Sequence, residues 1–313
     1  MAPVTAALVK QLRDQTGAGM MDCKAALTEA GGDFETAVDW LRKKGLAAAA
    51  KKAGRVASQG LIGVEVSGRR GAVVEVNSET DFVARNQDFQ ALVRSITHLA
   101  LHAAGDRDRL LQSKVPASGR SVADEITQAV AVIGENIHLR RSAAVEVDQG
   151  AVGSYVHGAL APGLGTIGVL VGLHSSGDPE RLATLGKQLA MHVAAARPQA
   201  VSIDRLDAAT LQRERAIYAE QARSSGKPDN IIDKMVEGRV RKFYEEAVLL
   251  EQPFVIDPDL KVKDVIDRVA EEIGSSIAVT EFVRFALGEG LTGPGPNTAE
   301  EVPQLADSKR RPR

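Results

Sequence analysis

Two histidines four residues apart, His98 and His102 in HLALH, are the first candidates for chemistry. On a helix that spacing puts both rings on one side, as a metal pair requires. A zinc-protease helix also needs a glutamate between them and a third ligand, and this stretch supplies neither. They read as two histidines on a solvated or half-buried helix face. Gly163-Leu-Gly-Thr-Ile-Gly168 matches G-x-G-x-x-G. A dinucleotide site needs a strand before it and a helix after it, so that the pyrophosphate meets the helix N-terminus. Here Pro162 precedes and VLVGL follows, which reads as a glycine-rich hairpin loop. No G-x-S-x-G, phosphate loop or paired-carboxylate signature occurs, so an enzyme with covalent chemistry is disfavoured and neither cofactor nor metal is expected. A single cysteine, Cys23, excludes an internal disulfide framework and fits a reducing compartment. The stretch that stands out is 78–87, SETDFVARNQ, where an aspartate and a phenylalanine sit side by side in a polar loop.

Composition narrows the partners. With 39 basic against 41 acidic side chains the net charge is −2, so no global field is available to hold nucleic acid. Aromatics are only 4%, too few for base-stacking platforms. The terminal KRRPR reads as a solvated tail. No apolar run approaches the ~20 residues of a membrane helix, and MAPVTAALVKQ lacks the pattern of a signal peptide. A cytoplasmic, soluble chain of several domains is expected.

The elements that must position that loop follow from periodicity. Residues 4–44 predict three short helices: one to about Gln15 broken at Thr16-Gly17-Ala18-Gly19, a second over Met20 to Ala30, and a third capped by Asp33 and ended at Gly45. Leu46 to Ala57 reads as an alanine-rich linker helix. At Gly60 the period switches to alternation, and Leu61–Val66 and Gly71–Asn77 predict a hairpin. Phe89 to Ala103 predicts an amphipathic helix, 105–121 an irregular stretch, Val122 to Ile133 a helix, and Ile137 to Glu146 a strand. Hairpin, loop and helix then recur: Ala151–His157, Thr166–Leu173, and a helix through Leu182, Leu185, Leu189 and Val193. The first strand-to-helix connection is SETDFVARNQ and the second HSSGDPE, so the scaffold repeats and the loop does not. Residues 204–247 predict an antiparallel helical hairpin turning at Ser224–Pro228, with Ile232, Val236, Val240, Phe243 and Ala247 as its stripe. Pro253–Ile256 and Ile277–Leu287 predict strands around a helix at Val262–Ile273.

The expected fold class is α+β, with a three-helix N-terminal domain and linker (1–57) followed by a core of two related α+β halves. These are 58–150, and 151–203 with 248–290; the hairpin 204–247 is an insertion and 291–313 a disordered tail.

Several stretches in order, TGAGMMDCKAAL (16–27), TDFVARN (80–86), IGENIHLRR (133–141), YVHG (155–158), MHVAAARP (191–198), SGKPDNIIDKMVEGR (225–239) and QPFV (252–255), resemble bacterial elongation factor Ts. The resemblance covers about residues 2–290. It implies a guanine-nucleotide exchange factor that binds elongation factor Tu, GDP-bound and nucleotide-free, and accelerates GDP release. It also implies that the N-terminal helices are ubiquitin-associated-like. Thr80, Asp81, Phe82 and Val83 would dislodge Mg²⁺ from the partner's site. Met20, Met21 and Lys24 would lie on one contact surface, and Ile133, Gly134 and His157 on another. No direct nucleic-acid or membrane contact is implied, and the hairpin could support a homodimer. The sequence departs from some members beyond Gly290, where four prolines break any helical pattern. Read without the resemblance, Thr80 could cap a turn, Phe82 could be core, and His157 could be a structural strand histidine. The competing classes are a non-catalytic protein-binding module and a ribosome-associated factor.

Overall fold

A computed structural model describes residues 3–224 and 228–291. Three helices open the chain: α1 (Ala6–Thr16), α2 (Met20–Glu29) and α3 (Phe34–Lys52). Thr5 caps α1 by accepting from the Leu8 amide, and Asp33 caps α3 by accepting from Thr36 at 2.8 Å. Leu12, Cys23, Ala26, Leu27 and Ala37 close their common core. Gly45 does not end α3. The helix runs through it to Lys52, so that residues 46–52 of the predicted linker are its last two turns and 53–57 lie beyond it. Glycine inside a helix costs about 1 kcal/mol. That cost is offset here because Gly45 is buried facing Ala131, and Ala49 packs into the next core.

Two antiparallel sheets follow. The first is built from β1 (Gln59–Ser67), β2 (Arg70–Ser78), β3 (His138–Glu146) and the two-residue β5 (Leu164–Gly165), in the order β3-β2-β1-β5. The second contains β4 (Gly150–His157), β6 (Ile167–His174) and β7 (Ala278–Ala286), in the order β4-β6-β7. Strand alternation gives each sheet two faces. Ile62, Val64, Val73 and Val145 of the first meet Val152, Leu170 and Phe285 of the second. The opposite face of the first packs Leu61, Val74 and Val76 on Phe89, Val93 and Ile96 of α5 (Gln87–Ala103). The opposite face of the second packs Val169, Val171 and Leu173 on Leu185, Leu189 and Val193 of α8 (Pro179–Ala196). The result is helix, sheet, sheet, helix in layers, an α+β arrangement.

Other predicted boundaries move. The stretch 105–121 contains α6 (Arg107–Gln112), capped by Asp106. The glycine-rich segment 163–168 crosses between sheets: Leu164–Gly165 extends the first beside β1, and Ile167 opens β6 in the second. Pro253–Ile256 is not a strand. Pro253 makes only an isolated bridge to Lys261, and Phe254 and Asp257 close turns on Leu260 and Phe254. The helices α7 (Val122–Ile133) and α11 (Val262–Ile273) each end at a left-handed glycine, Gly134 and Gly274. The hairpin is α9 (Ala208–Arg223) and α10 (Asp229–Ala247), joined at its base by Phe243, Ala247 and Val248 on Ala200 and Leu206. Part of its predicted turn, 225–227, and the predicted tail beyond Leu291 lie outside the described residues.

Candidate functional site

Residues 79–86 leave the end of β2 and return as α5. Within them Asp81–Ala84 form a single helical turn, α4. So short a helix is not stable on its own, and its pose is set by its flanks. Val83 and Ala84 point into the core of the first sheet. On the α5 side, Asn86 caps α5 through the Asp88 and Phe89 amides, and Gln90 donates to the Ala84 carbonyl at 3.0 Å. On the β2 side Thr80 occupies the N-cap position, but its side chain caps nothing. Its hydroxyl and amide instead donate to the two carboxylate oxygens of Glu135, at 2.6 and 3.0 Å.

Glu79 makes the mirror-image contact. Its carboxylate accepts from the Asn136 amide at 2.6 Å and from Arg55 at 3.4 Å, while Asn136 donates its side-chain amide to the Arg55 carbonyl. Three segments distant in sequence, at 55, 79–80 and 135–136, therefore lock together at the base of the turn. Phe82 emerges from it 76% exposed, beside an exposed Asp81 whose carboxylate bonds to no described residue. A phenylalanine normally buries 150 Å² or more, so this one is held out of the core by the residues on either side. The core reading of Phe82 fails, and so does the capping reading of Thr80.

The other predicted residues lie in separate places. Met20, Met21 and Lys24 are exposed on α2 and, with Val4, Thr5 and Val9, line an open hollow between α1 and α2. Ile133 is half-buried against the core at the end of α7, and Gly134 is its exposed C-cap. These two adjoin Glu135 and are thus drawn to the base of the Phe82 turn. His157 ends edge strand β4, exposed, with its Nδ1 3.4 Å from the Tyr155 hydroxyl. Glu79, Glu135, Asn136 and Arg55 were not singled out from the sequence. The signal was faint: Glu135 and Asn136 stand in IGENIHLRR, with nothing local to show what they hold.

His98 bonds to Glu65 at 2.9 Å, not to a metal pair with His102. Among the described residues no cluster of His, Cys, Asp or Glu could hold a metal ion, and no helix is long and apolar enough to cross a membrane. The site is a displayed apolar side chain with a free carboxylate beside it, on a rigid base. An exposed aromatic ring beside a carboxylate is chemically suited to contact with another molecule.

Residues 79–289 match the family model described as Elongation factor TS. The chain is similar to Elongation factor Ts of Rhodospirillum rubrum, 58% identical over 303 residues, covering 96% of this chain and 98% of that one. It is similar to the protein of the same name from Rhodospirillum centenum, 56% identical over 98% of this chain and all of that one. A third, from Parvibaculum lavamentivorans, is 56% identical over 98% and 99% of the two chains.

Proposed function

Because the chain belongs to the elongation factor Ts family, we propose that it is a guanine-nucleotide exchange factor that binds elongation factor Tu with GDP and speeds GDP release. Bound GDP is held through its phosphates and through Mg²⁺, which demands near-ideal octahedral oxygen geometry. Phe82, displayed on its pinned turn, enters beside that site as an apolar wedge, and Asp81 hydrogen-bonds or repels the groups that hold the ion. Thr80 and Val83 fix the turn. No covalent step and no resident cofactor are involved. By reciprocity the factor weakens GDP binding as many-fold as GDP weakens its own. Moving a two-state site from 1:99 to 99:1 takes about 5.5 kcal/mol, within reach of a standard-size interface.

Met20, Met21 and Lys24 on the α1–α3 cluster, read as the ubiquitin-associated-like unit, form one contact surface. Ile133, Gly134 and His157 form another. On the same reading the protein works in the cytoplasm, and the α9–α10 hairpin, with Ile217 and Ile231 exposed, is where two copies would pair.

The observation that supports the reading is the exposure of Phe82 above buried Val83 and Ala84. The test is release of a fluorescent GDP from elongation factor Tu, followed beside thermal melts. Phe82→Ala is expected to slow release about a hundredfold (~2.7 kcal/mol) while shifting the protein's own stability by no more than about 0.5 kcal/mol. Normal release by a folded Phe82→Ala protein defeats it.

A further inference from the structure

We infer that Glu135 and Glu79 are positioning residues for exchange: their crossed carboxylate contacts to Thr80 and Asn136 set the pose of the turn that carries Phe82. The inference rests on the reading of Phe82 as the intruding group. Its own support is geometric. Each of two adjacent segments sends a carboxylate to a backbone amide of the other, Glu135 to Thr80 at 3.0 Å and Glu79 to Asn136 at 2.6 Å. Charge-assisted contacts of this kind are about twice as strong as neutral ones. Glu135 also takes the Thr80 hydroxyl, the group that would otherwise have capped α4.

The same joint exists elsewhere in the molecule in a plainer form. There Ser275, one residue past Gly274, meets the Ser175 and Ser176 hydroxyls at 3.2 and 2.9 Å. Closing such a joint therefore needs no carboxylate. Of these two joints, the one closed by carboxylates is the one that carries a displayed side chain. Arg55 extends the lock to the end of the N-terminal helices, through its 3.4 Å contact to Glu79 and its carbonyl to Asn136.

A positioning role makes a specific kinetic statement. Loss of the clamp lets the turn sample poses in which Phe82 misses its target, so the maximal rate falls while contact surfaces elsewhere keep affinity. The experiment uses the full chain, elongation factor Tu loaded with fluorescent GDP, and Glu135→Ala, Glu135→Gln, Phe82→Ala, the Glu135→Ala/Phe82→Ala double variant, and Glu79→Ala, which carries the same expectation as Glu135→Ala. Glu135→Ala is expected to lower the release rate at saturation about tenfold, leaving the half-saturating concentration within about twofold. The double variant is expected to be no slower than Phe82→Ala alone, because both act through one group. Glu135→Gln, which keeps one acceptor oxygen, is expected to recover part of the rate.

Thr80→Val removes only the hydroxyl donor and carries the same expectation should Glu135→Ala fail to fold. If Phe82→Ala slows release but Glu135→Ala or Thr80→Val does not, or if the two losses multiply, the clamp is merely structural and the inference falls alone. If Phe82→Ala releases GDP at the normal rate, the function reading fails first and takes the inference with it.

Discussion

The chain twice leaves a β-hairpin and enters a long helix, and it uses the two crossings in opposite ways. After β6 the crossing is short and folded inward. Ser175 is buried, its hydroxyl accepts from the Gly177 amide, and Asp178 caps α8 through the Glu180 and Arg181 amides with Pro179 opening the helix. After β2 the crossing takes in an extra helical turn and pushes an aromatic ring into solvent. Around them the plan is shared. Gly60, second in β1, and Gly150, first in β4, stand at φ 126° and 117°, each pressed so close to the neighbouring strand's carbonyl that only glycine fits. Each sheet has a register shift at the same place, after Glu75 in one and after Gly172 in the other. The difference teaches that the scaffold needs only a closed joint at this point. What is added in the first half is added for display.

The comparison sharpens at the register shift, where the largest effect is expected. Glu75 is fully buried between the sheets, held by Arg140 and Arg141 at 3.0 and 2.5 Å and by the Gly288 amide at 2.9 Å. The second sheet has Gly172 there and no charge. Removing one partner strands the others, so Glu75→Gln is expected to cost about 3 kcal/mol of stability in urea unfolding. Gly172→Ala, whose Cβ would press on the Thr280 hydroxyl and on the Val145 and Val147 methyls, is expected to cost about 1–2 kcal/mol. Equal losses would mean that the two sheets do not depend differently on this position.

The two long helices also differ in how they keep their histidines. Those of α5, His98 and His102, are exposed; His192 of α8 is buried. Its Nδ1 accepts from the Val255 amide at 3.2 Å, its Nε2 meets the Gln252 side chain at 2.8 Å, and Phe254 stacks on the ring. Burial pushes the imidazole pKa down from its ordinary value near 6.5, against a smaller upward effect of the Gln252 bond. The unfolded chain therefore binds the proton first as pH falls. Stability present above about pH 6.5 is lost below it, at up to about 1.4 kcal/mol per pH unit. Urea unfolding at pH 7.5, 6.5 and 5.5 is expected to show this decline, flattened in His192→Gln. Parallel declines would assign the effect to other groups.

The smallest effect is expected at the inward crossing. A Cβ on Gly177 would press on the Ile273 Cδ1 atom, the movable end of a side chain. Gly177→Ala is expected to cost about 1 kcal/mol and to leave GDP release from elongation factor Tu unchanged at saturation. Slowed release would show that both crossings serve exchange and would end the contrast.

Most elements were legible because their signals are local. The stripe of α5, the Asp33 cap and the alternation of β1 and β2 all lie within a few residues of what they specify. The misjudged places depend on distant partners. Gly45 reads as a stop because the α7 surface that buries it is some eighty residues away. Val255 looks like strand, yet its amide serves His192. At the site, a phenylalanine read on its own favours burial, and only the resemblance favours display. The clamp was beyond local reading altogether, since Thr80 and Glu135 are 55 positions apart and neither forms part of a recognisable spacing.

The contact between Glu75 and Gly288 spans 213 positions of chain. Arg140 and Arg141 reach the same late segment across 149 and 145 positions, to the carbonyls of Glu289 and Ala286. A ribosome adding ~5–20 residues per second leaves roughly 10 to 40 s between the two ends of that contact. Throughout that interval the first sheet holds a carboxylate whose cover has not been made, and its inner face waits for β6 and β7. The nascent protein thus cannot finish its earliest sheet until Gly288 has emerged, and its folding is timed by translation, the process its family serves.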